Sequence, residues 1–87
     1  MTSKEFKQLV KKAETTCPDI KYAYPLIGIG LKSEREKLGI NRKNKLVVTE
    51  KAAIAFIRHQ CQYLNTGWDI QELNEIKRLF VNFVEVF

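Results

Sequence analysis

Apolar residues recur at helical spacing in three long segments of the chain, with charged residues between them. The first segment follows Thr2, which stands three residues before Glu5 in the spacing of a capping box. It predicts an amphipathic helix over residues 3–16, which ends before Pro18 because a residue that precedes proline resists helical geometry. The apolar face of this helix consists of Phe6, Leu9, Val10, Ala13 and Cys17.

Two further helices are predicted in the second half of the chain. Thr49 and Asp69 are good N-cap residues, and each precedes a segment whose apolar residues share one helical face. They predict a helix over residues 50–64, which Gly67 ends, and a last helix from residue 70 to the end of the chain. The tail is rich in β-prone residues, but its polar positions lie three or four apart, which favours a helix. Those positions are Glu75, Arg78, Asn82 and Glu85. The short linker predicts that the two helices form an antiparallel hairpin.

The pattern in the middle of the chain is weaker. Ser33 and Glu36 have capping-box spacing and Gly39 is a plausible C-terminal stop, so a helix of one to two turns is predicted there. Residues 18–31 are predicted to be irregular or extended, because a helix there would have to accommodate two glycines.

A short strand is also compatible with the pattern. Residues 45–48 favour extended structure and would pair with residues 26–31 in a minor two-stranded ribbon. Such a ribbon is marginal alone, so it would have to pack on the helices. The predicted fold class is therefore mainly α, with three principal helices, one short helix and this ribbon as an option, in a single small basic domain of residues 1–87.

Composition narrows the class of protein. With 87 residues, 45% of them hydrophobic and 29% charged, the chain is expected to form one small globular domain. No apolar run approaches the ~20 residues that span a bilayer, and the charged N-terminal segment is unlike a secretion signal. We therefore expect a cytoplasmic protein with no membrane partner. Cys17 and Cys61 are then expected to be free, buried thiols.

Positive charge is concentrated in residues 32–45. This segment holds six basic and two acidic residues, a net of +4 out of the chain's formal +5, whereas residues 49–87 carry four basic and five acidic residues. A local positive field attracts phosphate or an acidic protein surface. The alternative is a solvated turn that only keeps the protein in solution.

Nucleic acid, either DNA or RNA, is the leading predicted partner, and an acidic protein surface is the alternative. A helix-turn-helix is disfavoured because Lys45 occupies a position where that motif needs a buried aliphatic residue. If a helix enters a groove, the helix of residues 50–64 is the better candidate. Tyr22 and Tyr24 would stack on bases if they lie beside the basic loop. The predicted nucleic-acid contacts are Lys32, Arg35, Lys37, Arg42, Lys43, Lys45, Lys51 and Arg58.

The end of the last helix is the second feature with functional potential. Apolar residues cover most of its circumference, and such a helix must be buried on several sides. It either threads the core or meets another protein, in a homodimer or on a larger partner that the chain would dock on or inhibit. The candidate interface residues are Trp68, Phe80, Phe83 and Phe87.

Catalysis and metal binding have little support in the sequence. A cysteine nucleophile needs a base and an orienting group; Cys17 and His59 could in principle meet, but their spacing does not predict whether they do. Zinc needs four convergent ligands, whereas these two residues and Cys61 make only three. The glycines at positions 28 and 30 lack the third glycine of a dinucleotide-binding loop. We therefore predict no enzyme activity, no catalytic residue, no metal and no cofactor.

Overall fold

The computed structural model describes residues 1–62 and 68–87, which contain five helices and one two-stranded parallel sheet. The helices are α1 (Ser3–Thr15), a 3₁₀ helix (Ile20–Leu26), α2 (Lys32–Leu38), α3 (Glu50–Gln60) and α4 (Ile70–Phe83). The strands are β1 (Leu46–Val48) and β2 (Val84–Val86). The predicted mainly α fold, with three principal helices and one short α-helix, is confirmed.

Side-chain caps fix where the three principal helices begin. Thr2, Thr49 and Asp69 each accept a hydrogen bond from a backbone N–H two or three residues further along the chain. These bonds satisfy donors that the first turn of a helix otherwise leaves without a partner. The predicted starts of α1, α3 and α4 are therefore confirmed.

The end of α3 comes earlier than predicted. Its last residue is Gln60, and the backbone N–H of Cys61 donates to the carbonyl of Ile57 at 2.9 Å as the chain leaves the helix. The predicted end of this helix at residue 64 is therefore wrong, since residues 61 and 62 are already non-helical. The predicted stop at Gly67 and most of the hairpin linker lie outside the described residues.

The short helix α2 ends as predicted but begins differently. Gly39 follows it with a positive φ of 70°, the left-handed conformation that glycine adopts without strain. The helix begins at Lys32, and Leu31 precedes it without a side-chain cap. Ser33 lies inside the helix, so the predicted capping role of Ser33 is wrong.

The segment before α2 forms no strand. Residues 20–26 form the 3₁₀ helix, and tight turns follow, with the N–H of Ile29 donating to Leu26 and that of Leu31 donating to Gly28. Gly28, at φ 94°, permits this reversal. Because these backbone groups are satisfied locally, the predicted ribbon of residues 26–31 with residues 45–48 is wrong.

β1 pairs instead with the end of the chain. It runs parallel to β2, with Leu46 opposite Val84 and Val48 opposite Val86. The tail is therefore helical only to Phe83, and the prediction that it stays helical through Glu85 is wrong. Val84 is fully buried, and β-branched residues favour the extended conformation that buries it.

Three helices meet at one aromatic residue. Phe80 of α4 is 0% exposed, and its ring centroid lies 5.7 Å from that of Phe6 in α1 and 6.1 Å from that of Phe56 in α3. The 3₁₀ helix packs on α3 and buries Ala23 and Leu26 completely. The three principal helices therefore share one core.

The two cysteines differ in their surroundings. Cys61 is buried, as predicted, whereas Cys17 is exposed and both thiols are free. The predicted burial of Cys17 is wrong because α1 ends at Thr15 and its apolar face does not reach this residue.

Candidate nucleic-acid interface

The basic segment of residues 32–45 folds as α2 followed by a tight turn. α2 buries none of its residues, so its lysines lie at the surface. In the turn, Oδ1 of Asn41 accepts the N–H groups of Lys43 at 2.8 Å and Asn44 at 3.0 Å. An Asn side chain that bonds its own backbone in this way holds a turn in one conformation. We call residues 41–44 the Asn41 turn.

Arg42 and Lys43 project from the Asn41 turn into solvent. Both are exposed, and within residues 1–62 and 68–87 neither side chain forms an ion pair. A phosphate could therefore bind them without first displacing a carboxylate. Both predicted contacts are therefore accessible to a ligand.

Lys32 and Lys37 form only weak pairs within α2. The Nζ of Lys32 lies 3.8 Å from Glu36, and that of Lys37 lies 3.6 Å from Glu34. All four side chains are exposed or half-exposed, and such surface pairs contribute little. Both lysines can therefore exchange these partners for a stronger anion.

Arg35 points into the fold rather than outward. Its guanidinium donates a 2.7 Å hydrogen bond to the carbonyl of Ile29 and lies 4.4 Å from the ring centroid of Phe83. It therefore ties α2 to the preceding turns and to α4. This geometry argues against the predicted phosphate contact at Arg35 and leaves Phe83 half-buried beneath it.

Lys45 is also engaged within the chain. Its side chain is 28% exposed, and Nζ lies 3.0 Å from Oε1 of Glu85, which also accepts the N-terminal ammonium of Met1. The hydrogen bond with Glu85 raises the pKa of Lys45. The hydrogen bond from the N-terminal ammonium, followed by that from Lys45, lowers the pKa of Glu85. The charge on Lys45 is therefore used to join β1 to β2.

The two predicted contacts on α3 lie in different environments. Arg58 is half-buried and its guanidinium donates to the carbonyl of Ala13, which links α3 to α1. Lys51 is exposed in the first turn, and its Nζ lies 5.2 Å from the ring centroid of Tyr22. Only Lys51 is therefore available to a ligand.

The predicted interface residues are mostly part of the core. Phe80 is fully buried within the chain, so its assignment to an interface does not hold. Trp68 and Phe83 are partly buried and pack against the core cluster. Phe87 alone of the four is open to solvent, at 79% exposure.

A groove that sequence reasoning missed runs between residues 27–31, the end of α3 and the start of α4. Its volume is about 680 Å³. The described residues that line it include Glu72 and Glu75 but no lysine or arginine, although Arg78 pairs with Glu75 at 2.9 Å. The sequence predicts residues 18–31 only as irregular or extended, with a ribbon as an option, and neither form indicates a groove beside α3 and α4. Its apolar lining consists of Ile27, Leu31, Phe56, Ile76 and Leu79.

No metal-binding cluster is found in the part of the chain that the structure describes. Those residues contain no group of three or more His, Cys, Asp or Glu side chains that could hold a metal ion. Cys17 and His59 line a small hollow of about 200 Å³, but no hydrogen bond joins them. Burial, with a smaller effect of Glu72, raises the pKa of Cys61 to about 12, so this thiol stays protonated. Among the described helices, none is both long and apolar enough to cross a bilayer.

Comparison of the chain with models of protein families, with curated proteins and with solved structures finds no match. Function must therefore be argued from the surface of this molecule alone.

Proposed function

We propose that this chain is a non-catalytic nucleic-acid-binding or regulatory module that contacts phosphates through its basic segment, residues 32–45. The observation that carries the proposal is the Asn41 turn, which holds Arg42 and Lys43 exposed with no ion-pair partner among the described residues. Fixed cations bind a phosphate backbone by releasing its counterions. A cytoplasmic setting is part of the same proposal, because both cysteines are free thiols.

The basic segment of residues 32–45 supplies four proposed phosphate contacts. Arg42 and Lys43 contribute without losing a partner, and Lys32 and Lys37 contribute by exchanging weak pairs within α2. Four contacts correspond to a slope of log affinity against log salt of about −3.6 on duplex DNA and about −2.8 on a single strand.

Fluorescence anisotropy with labelled duplex DNA, single-stranded DNA and RNA over a salt series tests this proposal. The decisive variant is Arg42→Gln with Lys43→Gln, which should reduce the magnitude of the duplex salt slope by about 1.8. The matched control is Lys7→Gln with Lys11→Gln, which removes the same charge from the exposed face of α1. Equal losses in both variants would show a general charge effect, and absence of binding at low salt would remove the proposal.

A second candidate function is regulatory self-association, favoured by the groove beside α4. The occupant would be α2 of a second copy, because α2 carries an exposed leucine, Leu38, beside Lys37, whose positive charge complements that of Glu72 in the groove. Sedimentation velocity over a concentration series tests this. Leu38→Ser and Leu31→Ser should each abolish association, whereas Ile70→Ser, at an exposed apolar position outside the lining, should not. A monomer at all concentrations would exclude it.

A further inference from the structure

Two tyrosines of the 3₁₀ helix face solvent. Tyr24 is 62% exposed and Tyr22 is 36% exposed. The Nζ atoms of Lys21 and Lys51 lie 5.5 Å and 5.2 Å from the ring centroid of Tyr22. We give the name tyrosine face to these four residues, of which Tyr22 is the one that both lysines contact, and Tyr24 lies two positions further along the same 3₁₀ helix. It combines aromatic rings with positive charge, although its members come from two separate elements.

The backbone beneath the tyrosine face is held by the core. Ala23 and Leu26 of the same 3₁₀ helix are fully buried, and the side chain of Asp19 accepts the N–H of Lys21 at 3.0 Å to cap its start. The tyrosines are therefore exposed although their own helix is packed. Large aromatic side chains on a fixed surface are suited to binding, because little conformational freedom is lost when a ligand covers them.

The charge balance at this face favours an anionic ligand. The nearest acidic side chain on α3, Glu50, pairs with Lys12 of α1 at 2.5 Å. Asp19 is engaged by the backbone of its own helix. Lys21 and Lys51 have only the Tyr22 ring as a partner among the contacts within residues 1–62 and 68–87.

We propose that the tyrosine face binds single-stranded nucleic acid, with bases stacking on Tyr22 and Tyr24 and phosphates contacting Lys21 and Lys51. The inference rests on the proposed function and specifies its ligand. Stacking on an aromatic side chain requires a base whose face is open, which a single strand offers and a duplex does not. Lysines beside the rings contact the backbone that carries those bases.

The tyrosine face and the Asn41 turn are joined by a short path along the chain. β1 follows the turn and leads through Thr49 into the first turn of α3, which carries Lys51. The chain from Asn44 to Lys51 reaches at most about 25 Å when extended, so a single strand of about 12 nucleotides is long enough to test both surfaces together.

The test compares a labelled single-stranded DNA of about 12 nucleotides with a hairpin duplex of the same sequence. The variant is Tyr22→Leu with Tyr24→Leu, and the matched control is Tyr22→Phe with Tyr24→Phe, which keeps both rings. The leucine variant should lose single-strand affinity by roughly 5- to 150-fold per stacked base, with duplex affinity unchanged. The phenylalanine variant should bind as the parent protein does. Circular dichroism should show both variants folded, because the exchanged side chains are exposed.

Three other outcomes would contradict the inference, and one of them would also remove the proposed function. If the leucine variant binds the single strand normally while Arg42→Gln with Lys43→Gln weakens it, the stacking inference is wrong and the proposed function stands. If the phenylalanine and leucine variants lose affinity equally, the rings do not carry the binding and the inference is wrong. If the parent protein binds no nucleic acid at low salt, the proposed function fails and the inference fails with it.

Discussion

At the scale of single residues, the direction of a side chain decides its role in this basic segment. Arg35 and Arg42 belong to the same segment, yet the guanidinium of Arg35 bonds the carbonyl of Ile29 and covers the ring of Phe83. Arg42 projects into solvent from the Asn41 turn. The first arginine is therefore part of the fold, whereas the second is available to a ligand.

Replacing Arg35 by lysine tests this division. Arg35→Lys keeps the charge but loses the planar group that bonds a carbonyl and stacks on a ring, so the free energy of unfolding should fall by about 1–2 kcal/mol. Urea denaturation measures it. The control, Arg42→Lys, should change stability by less than about 0.5 kcal/mol. If Arg35→Lys leaves stability unchanged but weakens nucleic-acid binding, Arg35 contacts phosphate rather than holding the fold together.

The two thiols should differ sharply in reactivity. The pKa of Cys61 is raised to about 12 by burial, so at pH 8 about one molecule in ten thousand carries the thiolate. Cys17 is exposed. A thiol-specific reagent should therefore label Cys17→Ser only when denaturant unfolds the protein, and should label Cys61→Ser while it is folded. Rapid labelling of the folded Cys17→Ser variant would contradict the burial of Cys61.

The sequence predicts which residues of the candidate site are charged, but not which of them are free to contact a ligand. Composition alone identifies the basic segment, because six of its residues are cationic. Whether a cation is free depends on distant residues: Lys45 is paired with Glu85, and the guanidinium of Arg35 lies over the ring of Phe83. The spacing of residues within one helix or strand carries no information about contacts with residues far away along the chain.

At the scale of elements, the parallel pair of β1 and β2 joins the middle of the chain to its end. The pair places Val84 in the core with no exposed surface, whereas Val47 on β1 is largely exposed. Lys45 and Glu85 form an ion pair at the same junction. The strands are short, so their stability comes from this packing rather than from the ladder itself.

Shortening one valine on each strand tests that view. Val84→Ala removes buried methyl groups and should lower the free energy of unfolding by about 1–3 kcal/mol. Val47→Ala is its exposed counterpart and should change stability by less than about 0.5 kcal/mol. Chemical denaturation of both variants measures the difference. Similar small effects in the two would mean that Val84 is not part of the core.

The starts of the helices could be predicted from the sequence, whereas the pairing of the two strands could not. N-caps at Thr2, Thr49 and Asp69 act within one turn, so the starts of the helices were predictable. Residues 46–48 pair with residues 84–86, which lie far away along the chain. The polar residues of the tail are spaced three or four apart, as in a helix, so the sequence predicts a helix there instead of a strand. Tertiary packing of Val84 outweighs local periodicity there.

At the scale of the whole molecule, α4 and β2 complete a core that every principal helix shares. Phe80 contacts the aromatic rings of α1 and α3, so the end of the chain is central rather than peripheral. Phe87, by contrast, lies largely in solvent. A small domain with one core is only marginally stable, so removal of the buried residues of α4 and β2 destabilises all of its helices.

A chain that stops after Leu79 should therefore be unfolded. The deletion removes Phe80 and Val84, which are both fully buried, together with the whole of β2, and the loss is comparable with the total stability expected of a domain of this size. Far-UV circular dichroism should show the helical signal of α1 and α3 disappearing together, because they pack against the same ring. Phe87→Ser is the control and should unfold like the parent protein. A folded monomer after the deletion would mean that the tail serves an interface instead of the core.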